Sequence, residues 1–227
     1  MARIEFPFER DRDYSFAELR TFLSELRVNR QNDPAFSAEV RCNRVPWAKV
    51  YNEEIVPIAL LADQKGLRET DTFRLTAEGD PADIVLGLAT GKVLCQITVA
   101  DPTWPEKNPK SGSGYVRSLR MELLREGEPA FGGRYTYKKN GTIVSEPHAR
   151  DVREDYDACR RGLFQAFKRK QGHDGSGYAL LIYARGYRFQ LIDFDLSALV
   201  SAAVREFGEI NFRPVWVVDD KFFWELV

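Results

Sequence analysis

Residues 92–99, Lys-Val-Leu-Cys-Gln-Ile-Thr-Val, limit the fold of this chain more than any other stretch. In an extended conformation Val93, Cys95, Ile97 and Val99 fall on one side and Leu94, Gln96 and Thr98 on the other. A strand this apolar belongs in the interior of a sheet, which leaves Gln96 and Thr98 as exceptions that need a reason. The run Ala82–Leu88 precedes it, and the turn Leu88-Ala89-Thr90-Gly91-Lys92 joins the two as a hairpin. Residues 82–88 and 92–99 are therefore expected as adjacent antiparallel strands at the centre of a sheet, with Asp83, Val85 and Gly87 sharing one face of the first.

Helical periodicity flanks this region. Phe16, Leu19, Phe22, Leu23 and Leu26 recur at helical spacing behind a candidate N-cap, Ser15. A longer pattern over residues 45–67 puts Trp47, Val50, Tyr51, Ile55, Ile58, Leu61 and Ala62 on one stripe, with Pro57 a candidate kink. Rotation by about 100° per residue places Glu54 inside that apolar arc and Glu53 outside it. Residues 72–76 read as a strand ahead of the hairpin. Residues 115–127 read as weakly helical, and Asn140-Gly141 is the pair a tight type I′ turn uses, giving a second hairpin over residues 134–144. A helix over 151–171 carries Val152, Tyr156, Cys159, Leu163, Ala166 and Phe167 on its apolar stripe and ends in Lys168-Arg169-Lys170. The apolar run 178–184 reads as a buried strand, 196–206 as an amphipathic helix, and the end of the chain as two strands turning at Asp219-Asp220-Lys221.

A chain of 227 residues is long enough to bury a core as a single domain. Three cysteines spaced far apart argue against a disulfide framework or a Cys-rich zinc site and for a reducing compartment. With no apolar leader in the first ten residues and no membrane-length apolar run, a cytoplasmic protein is expected. The net charge of −1 does not advertise a polyanion binder, but residues 107–170 hold 15 Lys and Arg against 8 Asp and Glu, a net of +7 that leaves −8 for the rest. A solvated surface accounts for such a patch as readily as a binding face does.

The order helix, three-strand meander, helix, strand, with an inward Glu54 on the first helix, Pro81-Ala82-Asp83 at the start of one strand and Gln96-Ile97-Thr98 on the next, resembles the PD-(D/E)xK nuclease superfamily, the restriction-endonuclease-like fold. The resemblance implies an α/β three-layer sandwich, a central mixed sheet flanked by helices and carrying a β-hairpin insertion. It divides a single domain into a helical N-terminal extension (1–44), a core (45–99 and 151–193), a basic hairpin insertion (100–150) and a C-terminal helix with strands (194–227). It further implies magnesium held by Asp83, Gln96 and Glu54, with hydrolysis of phosphodiester bonds in nucleic acid. Gln96 stands where the family has a carboxylate and Thr98 where it has lysine. The family allows that lysine to migrate, and Lys170, on the inward stripe of the second helix, is the replacement to name, with Lys168 second and Thr98 as a supporting residue. Nucleic acid would meet Arg134, Lys138, Lys139, Lys168 and Arg169.

Each residue has a plainer reading. Glu54 could pair with an arginine, Asp83 could serve the turn after Gly79-Asp80-Pro81, Gln96 and Thr98 could bond across the sheet, and the lysines could simply complement a helix C-terminus. A catalytically inactive nuclease-fold module that binds nucleic acid or a protein is thus the alternative to an enzyme. The aromatic tail, Trp216 with Phe222, Phe223 and Trp224, leaves a partner surface and a homo-oligomer open as well. No phosphate-binding loop, dinucleotide fingerprint or serine-hydrolase elbow occurs, which sets those enzyme classes aside.

Overall fold

The structure is a computed structural model that describes residues 4–41, 45–100, 133–137, 143–147, 152–184, 196–207, 210–219 and 222–226. The strand expected over residues 92–99 is β4 (Gly91–Ala100), and it occupies the middle of a seven-stranded mixed sheet. On one side it pairs antiparallel with β3 (Ile84–Leu88), from Ile84↔Cys95 to Leu88↔Gly91, so that only Ala89 and Thr90 form the loop of the hairpin. β2 (Thr72–Leu75) pairs antiparallel with β3, and the two-residue β1 (Tyr14–Ser15) closes that edge against β2. On its other side β4 runs parallel to β7 (Tyr178–Ala184) over seven residue pairs, Leu94↔Tyr178 to Ala100↔Ala184. β8 (Val215–Val218) lies parallel to β7, and β9 (Phe223–Leu226) completes the sheet antiparallel to β8.

Both faces of the sheet are covered, because successive residues of its inner strands are apolar in both directions. Ala179, Leu181 and Tyr183 of β7 join one core with Cys95 of β4, and Leu180, Ile182 and Ala184 join the other with Ala100. The first core is closed by α1 (Phe16–Asn32), α2 (Pro34–Arg41) and a helix that begins as α3 (Ala48–Val50), passes through a π-helical turn (Tyr51–Ile55) and continues as α4 (Val56–Lys65). The second is closed by α5 (Val152–Lys170) and α6 (Leu196–Phe207).

Local chemistry explains the element boundaries. Ser15 caps α1 through a capping box: its hydroxyl accepts the Glu18 N–H at 3.2 Å, and the Glu18 carboxylate accepts the Ser15 N–H at 2.7 Å. Phe16, Leu19, Phe22 and Leu26 are buried, as the spacing requires. The anticipated disturbance at Pro57 takes the form of the π-helical turn before it. Pro57 has no N–H, and the preceding Val56 N–H reaches back five residues to the Tyr51 carbonyl. Gly66 ends α4 in the left-handed conformation, φ 64°, with its N–H on the Ala62 and Asp63 carbonyls. Between α5 and β7, a Cβ on Gly175 would strike the Phe212 ring at 2.6 Å, so that close approach requires glycine.

The second hairpin exists as β5 (Gly133–Tyr137) paired antiparallel with β6 (Ile143–Pro147) in a sheet of its own. Its connecting residues, with Lys138, Lys139 and the Asn140-Gly141 pair, and the helical reading of 115–127 lie outside the described residues. Arg134 is on β5. No helix among the described residues is long and apolar enough to cross a membrane. Trp216 is buried in the first core, while Phe222, Phe223 and Trp224 pack partly buried against the two cores. Trp216 Nε1 and Lys65 Nζ both donate to Glu225 Oε1, at 2.7 and 2.6 Å, which ties β9 to α4.

Leu181 is completely buried and Leu94 is 39% exposed, although both belong to the central strand pair. Leu181→Ala should cost about 2–5 kcal/mol and Leu94→Ala less than about 1.5 kcal/mol in denaturant unfolding. Equal losses would contradict the central placement of β7.

Candidate functional site

The site lies where β3 joins β4. Regular pairing between these strands begins at Ile84↔Cys95, and one residue earlier the backbone departs from it. The Asp83 N–H donates to the Cys95 carbonyl at 3.0 Å, and the Asp83 carboxylate replaces a backbone carbonyl as partner of the next strand, Oδ2 accepting the Ile97 N–H at 2.6 Å. The Ala82 carbonyl is turned to the Thr76 hydroxyl instead, and the Thr76 N–H donates to the Asp83 carbonyl at 3.1 Å. Asp83 is thus fixed by its own backbone and by the turn after β2.

Gln96 stands next to it on β4. Its amide nitrogen donates to the Pro81 carbonyl at 2.8 Å, and its Oε1 accepts from Lys170 Nζ at 2.7 Å. These two bonds assign the amide orientation, since only the oxygen can accept from an ammonium. Lys170 reaches this point from the last turn of α5, and its ammonium also lies 6.0 Å from the centre of the Phe212 ring. Burial pulls the Lys170 ammonium below its ordinary range; the nearby Asp83 carboxylate opposes that shift and Arg169 adds to it. Arg169 is exposed and donates to the Val99 carbonyl at 2.7 Å. Lys168 is exposed on the same helix end, and Thr98 is buried two residues along β4 from Gln96.

Glu54 comes from the π-helical turn, in the layer packed on the Cys95 face of the sheet. Its Oε1 accepts from Arg10 at 3.2 Å, whereas Oε2 is buried with no hydrogen-bond partner among the described residues. Burial raises the Glu54 carboxyl above its ordinary value of 4.5; Arg10 opposes this, and the charges of Asp83 and Glu53 reinforce it. Asp83 therefore couples electrostatically both to Glu54 and to Lys170. The structure gathers Glu54, Asp83, Gln96 and Lys170 around the start of β3. It leaves Lys168 outside the bonded group and gives Glu54 the arginine partner that its plainer reading anticipated.

Arg10 had no signal in the sequence. It belongs to a charged N-terminal run without periodicity, and only the fold brings it to Glu54, 44 residues on. Its NH1 donates to the Thr76 carbonyl at 2.5 Å, on the turn that holds Asp83.

The side chains that the resemblance names as ligands, Glu54, Asp83 and Gln96, offer oxygens, the chemistry a hard divalent cation such as magnesium takes. Their number is small. Among the described residues no group of three or more His, Cys, Asp or Glu is gathered as metal ligands would be, and the Gln96 oxygen already accepts from a lysine. Glu54 Oε2 and the Asp83 carboxylate fit such an ion in kind; Gln96 brings only a neutral oxygen with one lone pair engaged.

No family model, curated protein or solved structure matches the chain. The class that fold and site together define is an α/β protein with a mixed seven-stranded sheet between helical layers and a carboxylate–amide–lysine cluster at the β3–β4 junction.

The raised Glu54 carboxyl has a sign that can be tested. It holds its proton more tightly folded than unfolded, so its contribution to stability is fully present below 4.5 and is lost as pH rises through the raised folded value. The stability of the protein relative to Glu54→Gln, from urea unfolding, should therefore fall over the interval above pH 4.5 in which the raised carboxyl loses its proton. A difference that grows over this interval would mean that the Arg10 pairing outweighs burial.

Proposed function

We propose that the chain is a divergent metal-dependent nuclease-like protein that hydrolyses phosphodiester bonds in nucleic acid. The observation that carries this reading is the 2.7 Å contact between Lys170 Nζ and Gln96 Oε1 beside Asp83. The cation comes from the second helix and meets the strand position where the PD-(D/E)xK pattern would have its carboxylate, two residues before the position of the pattern's own lysine. The succession of α3–α4, the β2–β3–β4 meander, α5 and β7 is the order on which the resemblance to the restriction-endonuclease-like fold rests.

In this reading Asp83 and Glu54 would hold magnesium, with the Gln96 oxygen as a weak third donor. When bound, the ion would supply an activated water and charge neutralisation at the phosphate. The protein's own groups do the rest. Asp83 is oriented by the Ile97 N–H, Gln96 holds the Lys170 ammonium in place, and Lys170 presents a positive charge where the pentavalent phosphate would gather negative charge. Burial lowers the proton affinity of Lys170 below that of an ordinary lysine, and the Asp83 charge opposes that shift. The basic middle of the chain, with Arg134, Lys138 and Lys139, would hold the nucleic acid, joined by Lys168 and Arg169.

A second reading is favoured by the Arg10–Glu54 pair and by the neutral Gln96: a nuclease-fold module without catalysis that binds nucleic acid or a protein. Magnesium titration by calorimetry separates the two. An enzyme should give a binding heat that Asp83→Ala removes and Gln96→Glu strengthens. Its cleavage of a labelled oligonucleotide should fall about 100- to 1,000-fold in Lys170→Ala, the usual cost of losing one preorganised charge. Absence of both the binding heat and cleavage would leave only the binding module.

A further inference from the structure

Arg10 is placed as a substrate contact would be. Its guanidinium spans two neighbours of Asp83, the Thr76 carbonyl at 2.5 Å and Glu54 Oε1 at 3.2 Å. The backbone around it is fixed: the Asp11 N–H donates to the Leu75 carbonyl at 2.7 Å with Asp11 at φ 62°, and Tyr14 three residues on is buried against Phe73. Yet the Arg10 side chain stays 37% exposed while its partner Glu54 is 19% exposed. A guanidinium has five donors in a planar fork, and two bonds to the protein leave others facing out. On the far side of Asp83 stand Lys170, held by Gln96, and the exposed Arg169.

We propose that Arg10 is a nucleic-acid phosphate contact at the Asp83 site, gripping the backbone opposite Lys170 and Arg169 so that a phosphodiester lies between cations from the two helical faces of the sheet. This deepens the nuclease reading and rests on it. Two carboxylates alone would repel a phosphate. Arg10, Lys170 and Arg169 set three cations against Glu54, Asp83 and the neighbouring Glu53, so the cluster as a whole is balanced rather than acidic. In the free protein Arg10 needs no rearrangement to do this, because the fork is already oriented by Thr76 and Glu54.

The test is equilibrium binding of labelled single- and double-stranded oligonucleotides in the presence of a chelator, followed over a salt series for the unaltered protein, Arg10→Gln, Arg10→Lys and Glu54→Gln. Arg10→Gln should weaken binding several-fold at low salt and lower the salt slope by about one, as loss of one phosphate contact requires. Arg10→Lys should restore the slope. Glu54→Gln should tighten binding, because it removes a negative charge while the Thr76 carbonyl and the glutamine oxygen can still orient the fork; an arginine serving only as the structural partner of Glu54 would make Glu54→Gln and Arg10→Gln equally damaging. An unchanged slope in Arg10→Gln, or no oligonucleotide binding by the unaltered protein, overturns the proposal. Its failure is separable from that of the nuclease reading. Arg10-dependent binding in a chain with no magnesium heat and no cleavage leaves Arg10 in place and removes the enzyme, whereas cleavage lost in Asp83→Ala with an unchanged Arg10→Gln slope does the reverse.

Discussion

The parallel pairing of β4 with β7 is the contact on which the rest of the molecule depends. Seven consecutive residue pairs join the two strands, and their alternating side chains feed two separate cores. Slipping the register by one residue would exchange the two sets, sending Leu181 and Tyr183 where Leu180 and Ile182 belong. Because β4 also carries Gln96 and pairs with β3 beside Asp83, the same register decides whether the lysine at the end of α5 meets its amide partner. Core packing and site geometry are therefore one constraint.

That coupling accounts for how much could be read beforehand. The central strands, the hairpin between them, the capped first helix and the long helix ending in basic residues all follow from local periodicity and turn chemistry, which act over a few residues. The resemblance to a nuclease fold drew attention to Asp83 and Gln96, and the helical count singled out Glu54 and Lys170. What could not be read were contacts made across the chain. Arg10 reaches Glu54 over 44 positions, and Lys170 reaches Gln96 over 74, through three-dimensional placement that no local pattern encodes. The exchange by which the Asp83 side chain takes the Ile97 N–H was equally invisible, because it depends on where β3 leaves its partner.

The electrostatics of the cluster run against stability. Burial pushes Glu54 up and Lys170 down, each away from its charged form, and a buried carboxylate oxygen is left without a donor among the described residues. Elsewhere, replacing a buried ion pair by apolar groups of similar volume is often neutral or stabilising. Strained polar arrangements of this kind concentrate where a protein binds or reacts.

The π-helical turn at Tyr51–Ile55 has a geometric consequence. Each added residue turns a helix by about 100°, so one extra residue within a turn shifts everything after it relative to everything before. Tyr51 and Ile55 lie buried ahead of Pro57, and Ile58 and Leu61 lie buried behind it, while Glu54 is left at the sheet junction. Pro57 has no N–H to give, and the wide turn ahead of it spreads that accommodation over Tyr51–Ile55 while the buried residues on either side keep their places in the core and Glu54 keeps its place at the junction. Deletions or insertions in this segment would thus be felt as rotations before they were felt as changes in length.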